Sequence, residues 1–146
     1  MLQLTSTPRC VNSLFGVPKG DDIRLILDAR LANCYFVDAP RIQLPSPSHL
    51  AQLQATGAIA VAKCDLSNFY HQLVLPDWIR SYFALPALTS RERAELASCS
   101  DLPPSVRAAL SSPGGRLFPC CVTLPMGFSH SVFLAQCVHE LSLIHI

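Results

Sequence analysis

Two short apolar runs on either side of Gly20-Asp21-Asp22 constrain the fold of this 146-residue chain more than any other feature. Residues 14–19 and 23–28 each have the length of one strand, and glycine followed by aspartate is typical of a tight turn. The pattern therefore predicts a β-hairpin.

The remaining pattern predicts an alternation of short helices and strands. We expect a short helix capped by Ser48, a buried strand at 58–64, a helical turn at 76–80 and a strand at 82–85. One or two solvated helices at 89–112, a strand at 117–123 and a helix that begins at Ser129 or Ser131 follow. This order predicts an α+β fold.

Composition limits the class of protein without naming a function. Half of the residues are apolar and 14% are charged, so the chain can bury a sizeable core and part of its surface is expected to be covered. No apolar run reaches membrane-spanning length and no signal peptide is visible, which predicts an intracellular protein, cytoplasmic or nuclear, with no membrane partner. Seven cysteines without a C-x-x-C pair favour reduced thiols over a zinc site.

Asp65 follows the predicted strand at 58–64, and Tyr70 comes five residues later. A strand that ends in a carboxylate presents the oxygen ligand that Mg²⁺ prefers, and joining nucleotides needs such ligands for two metal ions. An aromatic ring at the second position can lie under a sugar, where a 2′-hydroxyl would collide with it. Each residue alone has a structural explanation, as a turn aspartate or a core aromatic. Together they favour a deoxynucleotide site.

Three motifs of the chain resemble those of reverse transcriptases of retroelements. Val17-Pro18-Lys19 with Arg24-Leu25-Ile26-x-Asp28-x-Arg30-x-x-Asn33 is similar to the hairpin of the fingers. Lys63-Cys64-Asp65-Leu66-Ser67-Asn68-Phe69-Tyr70 is similar to the first palm motif, and Leu124-Pro125-Met126-Gly127-Phe128 with Ser131 to the second. The resemblance covers nearly the whole chain. It implies a partial right-hand polymerase fold, with a fingers hairpin, an incomplete palm and no thumb.

The resemblance also divides the chain. Residues 1–57 and 74–123 would be fingers-like, with a surface insertion at 89–115, and residues 58–73 and 124–140 would be palm-like. Residues 141–146 do not resemble the family, and two origins stay open for them, native sequence or translated library adapter.

For the site, the resemblance implies a role for each motif residue. Asp65 would be the catalytic carboxylate and a ligand of Mg²⁺, of which the intact enzyme binds two. Lys19 and Arg24 would grip the triphosphate of the incoming deoxynucleotide, which suits a lysine point charge and a planar arginine fork. The other residues near the nucleotide would be Leu66, Tyr70, Met126 and Gly127. The residues of the scaffold near the template would be Asp28, Arg30 and Asn33.

The implied activity is RNA-directed DNA synthesis, with an RNA or DNA template, a primer strand and deoxynucleoside triphosphates as partners. Two features depart from the family. Met126 stands where many relatives carry glutamine, and the paired aspartates of an aromatic-x-Asp-Asp hairpin are absent after the second palm motif. Asp21 and Asp22 cannot replace them, because they lie upstream of Asp65 in the predicted hairpin turn.

This 146-residue piece is therefore expected to be inactive without the missing part of the palm and the thumb. The alternative is a non-catalytic remnant of a retroelement that at most binds nucleic acid. An RNA-copying RNA polymerase is disfavoured by Tyr70 and by the loop at 124–127.

Overall fold

A computed structural model describes residues 2–44, 46–52, 54, 56–58, 60, 65–112 and 114–144. These residues form a mixed α and β domain with two small antiparallel sheets, which confirms the α+β class. The strands are β1 (Leu2–Thr5), β2 (Ser13–Lys19), β3 (Asp22–Asp28) and β4 (Phe118–Cys121). The helices are α1 (Arg30–Asn33), α2 (Pro47–Ala51), α3 (Phe69–Gln72), α4 (Asp77–Arg80), α5 (Ser90–Ala97), α6 (Pro104–Ser111) and α7 (Ser131–Ile144).

The predicted hairpin is confirmed. Strands β2 and β3 pair in register from Ser13 opposite Asp28 to Lys19 opposite Asp22, and Gly20 turns the chain with a φ of 61°. Most of the hairpin is exposed on both faces, and the ribbon becomes buried only at its base, where Leu27 is 3% exposed. Because a two-stranded ribbon is marginal alone, its stability depends on this base.

Strands β1 and β4 form the second sheet, with Leu2 opposite Cys121 and Thr5 opposite Phe118. The pattern predicted a strand at 117–123, and β4 is shorter, although Thr123 forms a further bridge with Val74. No structure was predicted for β1. A four-residue strand acquires its structure from a partner far away in the sequence, so local pattern carries little signal for it.

One hydrophobic cluster joins the base of the hairpin to the second half of the chain. Its buried members are Cys10, Leu27, Ala29, Ala32, Leu75, Ile79, Phe83, Leu124 and Phe128. Phe83 lies at the centre, fully buried, with its ring centroid 4.8 Å from that of Phe128. Among the described residues, no helix is long and apolar enough to cross a membrane.

The strand predicted at 82–85 is wrong. Residues Ser81–Phe83 form a turn of 3₁₀ helix that continues α4, and only Ala84 makes bridges, to Val11 and to Cys120. The burial of Phe83 and two hydrogen bonds from the Asn12 amide fix this turn, so tertiary contacts override the strand preference of tyrosine and phenylalanine.

The other predicted elements include one that is wrong, several that are confirmed and one that lies largely outside the described residues. Helix α2 begins at Pro47, so Ser48 lies inside the helix and the predicted cap is wrong. Proline suits a first helical position because the missing N–H would have no helical partner there. The helical turn at 76–80 and the two solvated helices at 89–112 are confirmed, and α7 begins at Ser131 and extends to Ile144. The predicted strand at 58–64 lies largely outside the described residues.

Candidate functional site

Lys19 and Arg24 lie on one face of the exposed hairpin. The register places Lys19 opposite Asp22 and Arg24 opposite Val17, so the two cations are diagonal neighbours across the ribbon. Both side chains are exposed. Asp22 lies directly opposite Lys19 on the same face and offsets part of its charge. This face of the hairpin therefore presents two cations and one carboxylate to solvent.

The base of the hairpin contacts the loop at 124–128 directly. The backbone N–H of Leu27 donates a hydrogen bond to the carbonyl oxygen of Met126 at 3.1 Å. Gly127 has a φ of +112°, and a Cβ atom on it would lie 2.0 Å from the carbonyl oxygen of Leu27. Only glycine permits this approach of the two backbones. The contact joins the predicted fingers hairpin to the predicted second palm motif.

Asn33, at the end of α1, forms a second link to the same loop. Its side-chain Nδ2 donates to the carbonyl oxygen of Gly127 at 3.0 Å, and its Oδ1 accepts from the backbone N–H of Ser129 at 3.0 Å. These bonds use both ends of the amide. Asn33 therefore positions the loop.

The loop is also fixed from the other side. The N–H of Leu124 donates to the carbonyl of Leu73 at 2.8 Å, and the N–H of Leu75 donates to Val122 at 2.8 Å. The buried hydroxyl of Ser131 donates to the carbonyl of Pro125 at 2.7 Å. The segment that follows the Asp65–Tyr70 motif is thus paired with residues 122–124, which lead from β4 into the loop.

Tyr70 and Asp65 differ in their surroundings. Tyr70, in α3, is half-buried and packs against the core cluster, while α3 packs against α7. Asp65 is exposed, and so is its neighbour Leu66, at 49%. Among the described residues, Asp65 forms no ion pair or hydrogen bond with Lys19 or Arg24. The described contacts therefore connect the three motifs through their backbones and cores rather than through these charged side chains.

Asp28 and Arg30 form a two-pronged ion pair at the base of the hairpin. Nε of Arg30 lies 2.8 Å from Oδ1 and Nη2 lies 2.6 Å from Oδ2 of Asp28. The Arg30 hydrogen bonds hold the pKa of the Asp28 carboxyl below its ordinary value. The pair borders an open cleft of about 490 Å³, which Asn12, Leu31 and Pro86 also line. The Arg30 side chain is 88% exposed, so it remains accessible to a ligand.

The described residues do not make a magnesium site by themselves. No group of three or more histidine, cysteine, aspartate or glutamate side chains in the described part of the chain converges as metal ligands. Asp65 offers a single exposed carboxylate, and a divalent cation in a protein needs several oxygen ligands.

Asn12 is a residue of this region that the sequence did not reveal. It is 3% exposed, and its Nδ2 donates to the carbonyls of Tyr82 and Ala84 at 2.9 and 3.1 Å. It thereby ties the entry of β2 to the segment after α4. A single asparagine before a predicted strand has no pattern that distinguishes it from an ordinary loop residue.

Comparison of the chain with protein-family models, with curated proteins and with solved structures found no match.

Proposed function

We propose that the chain is the fingers and upper palm of an RNA-directed DNA polymerase of a retroelement. In this proposal it grips the incoming deoxynucleotide and the template, and it supplies one carboxylate, Asp65, to a reaction centre that other residues complete. On its own the 146-residue chain binds and does not catalyse.

The single observation that carries the proposal is the junction at Gly127. The hairpin with Lys19 and Arg24 and the loop at 124–128 were assigned to one nucleotide site from the resemblance alone. The backbones of the two segments meet at Leu27 and Gly127, so closely that only glycine fits at position 127. The Asn33 side chain forms hydrogen bonds across the same junction. The junction supports the proposal because it brings the base of the hairpin against the loop of the second palm motif, two segments about 100 residues apart in sequence.

Each part has a stated task in the proposal. Lys19 and Arg24 bind triphosphate oxygens, since both cations are exposed on one face of a projecting hairpin. Tyr70 excludes the 2′-hydroxyl of a ribonucleotide. Arg30 contacts the template backbone from the cleft beside the hairpin base, because its guanidinium is exposed and Asp28 fixes its direction.

Nucleotide binding by the 146-residue chain tests the proposal. A fluorescent deoxynucleoside triphosphate is titrated in the presence of an RNA template annealed to a DNA primer, at fixed low salt. Arg24→Ala is expected to weaken nucleotide binding about tenfold, the loss of one charge-assisted contact worth about 1.4 kcal/mol. The nucleotide affinity of Arg24→Lys is expected to lie between those of the wild type and Arg24→Ala, because lysine keeps the positive charge but lacks the planar guanidinium.

Arg91→Ala is the control, since Arg91 is also an exposed arginine but lies on α5, where it pairs with Glu95. It is expected to leave nucleotide affinity unchanged. Equal affinities of the wild type and Arg24→Ala would remove the hairpin from the nucleotide site. Retained template binding with no saturable nucleotide binding would favour the non-catalytic remnant, the alternative to which Met126 points.

A further inference from the structure

A second cavity lies away from the proposed nucleotide site, between the helices of the predicted insertion and the second sheet. Its volume is about 720 Å³, within the range of sites for small molecules. Leu96 of α5, Val106 of α6 and Leu4 of β1 contribute to its apolar wall, together with Leu88. Three separate elements therefore line one apolar surface that is open to solvent.

Hydrogen bonds hold the walls in place. Thr89 and Glu92 form a capping box at the start of α5. Arg93 donates to the carbonyls of Leu110 and Ser112 at 3.1 and 2.9 Å, which fixes the end of α6 to α5. Arg107 donates to the carbonyl of Ser100 at 2.9 Å. The cavity is therefore preformed, and a ligand would lose little affinity to ordering it.

The charged side chains on the lining of this cavity are acidic. Glu92, Glu95 and Asp101 are on its lining, and no lysine, arginine or histidine is among the described residues that line it. Glu95 pairs with Arg91, whereas Asp101 accepts a hydrogen bond from the Ser100 hydroxyl. The hydrogen bonds from Thr89 lower the pKa of Glu92, so its carboxyl stays ionised at neutral pH. The apolar wall thus carries an excess of negative charge.

We propose that this cavity binds a small apolar molecule that carries a positive charge, of the class of aromatic amines. Its apolar body would cover the Leu96 and Val106 surface, and its ammonium group would face the carboxylates. The complementary charge is the reason to choose a cation over a neutral or anionic molecule of the same shape. The inference does not depend on the polymerase proposal.

Three naphthalene derivatives of one shape test the charge preference. The probes are 1-naphthylmethylammonium, 1-naphthalenemethanol and 1-naphthoate, titrated with the 146-residue chain and followed by naphthalene fluorescence anisotropy. We expect saturable binding of the ammonium compound, about threefold to tenfold tighter than that of the alcohol, and the weakest binding for the anion. Equal affinities for the three, or no saturation with any, would overturn the proposal.

Cys99 reports the location of the bound probe. It lines the cavity as a free, exposed cysteine, and Cys34 is a free, exposed cysteine at the end of α1. Alkylation by iodoacetamide is followed at both residues by peptide mass spectrometry. We expect the ammonium probe to slow Cys99 alkylation with the same saturation curve as the anisotropy and to leave Cys34 unchanged. Saturable anisotropy with unprotected Cys99 would place the probe elsewhere and contradict the assignment.

Charge-removing variants complete the test. Asp101→Asn and Glu95→Gln keep the size of exposed side chains, so the fold should persist, which circular dichroism checks. Each is expected to reduce the preference for the amine over the alcohol about threefold while leaving affinity for the alcohol unchanged. Asp21→Asn, which removes a carboxylate at the hairpin turn, is the control and should have no effect. An unchanged preference in both cavity variants would refute the role of these carboxylates.

Discussion

Gly127 approaches the carbonyl oxygen of Leu27 so closely that a Cβ atom on it would lie 2.0 Å from that oxygen. The hydrogen bond from the N–H of Leu27 to Met126 runs across the same junction, at 3.1 Å. The hairpin and the loop at 124–128 therefore cannot separate slightly to admit a side chain without losing a backbone hydrogen bond.

Gly127→Ala is expected to destabilise the protein by about 2 to 4 kcal/mol, because the new methyl group meets backbone and the residue keeps an unfavourable positive φ. Urea unfolding followed by circular dichroism measures the change. Gly114→Ala is the matched control: Gly114 has a φ of +78°, and a Cβ atom on it would meet no described neighbour within 4 Å. Only the conformational cost of about 1 to 2 kcal/mol therefore applies there. Equal losses in the two variants would mean that the close approach to Leu27 adds nothing.

Asn33→Ala is expected to loosen the same loop. The substitution leaves the Gly127 carbonyl and the Ser129 N–H without their side-chain partner, at a cost of about 1 to 2 kcal/mol. Hydrogen exchange at the Ser129 amide should accelerate along with the fall in urea midpoint. Gln72→Ala, which removes one exposed bond to the Ser67 carbonyl, should change stability by less. Unchanged Ser129 exchange would show that the Asn33 bond does not restrain the loop.

The hairpin could be predicted from sequence because its signal is local: two apolar runs and a turn all lie within residues 14–28. The links that position the loop could not. Asn33 bonds to residues 94 and 96 positions away, and asparagine carries no periodicity that would identify those partners. The 3₁₀ turn at Ser81–Phe83 could not be predicted either, because the burial of Phe83 in the core determines the conformation of this segment. Local pattern thus located the motif residues, and long-range contacts decide how they meet.

Tyr70 has two possible roles, and one pair of variants separates them. Tyr70→Ala is expected to cost about 1 to 3 kcal/mol, because the ring is half-buried against the core cluster. If the ring also excludes the 2′-hydroxyl, the same variant should narrow the difference in affinity between ribonucleoside and deoxyribonucleoside triphosphates. Tyr70→Phe keeps the ring and should preserve that difference. A loss of stability with unchanged sugar discrimination would leave Tyr70 as a core residue only.

The buried thiol of Cys120 makes the stability of the protein depend on pH in the alkaline range. The thiol is 1% exposed in β4, and its burial, with a smaller effect of Cys121, raises its pKa from the ordinary value of 9.0 to about 11. Above pH 9 the thiol of the unfolded chain loses its proton while the folded chain retains it. The raised pKa of Cys120 therefore has no effect on the free energy of unfolding below pH 9. It lowers this free energy as the pH rises from 9 through 11.

The loss attributable to Cys120 over this range is expected to reach at most about 3 kcal/mol, since each pKa unit corresponds to about 1.4 kcal/mol. Urea midpoints of the wild type and Cys120→Ala, measured from about pH 8 to about pH 10.5, give the comparison. The urea midpoint of Cys120→Ala should be lower than that of the wild type at about pH 8, because the substitution leaves a small cavity. It should then decrease less steeply with rising pH. Cys99→Ala, which removes an exposed thiol, should follow the wild type. Parallel curves for wild type and Cys120→Ala would show that Cys120 ionises equally in the folded and unfolded chain.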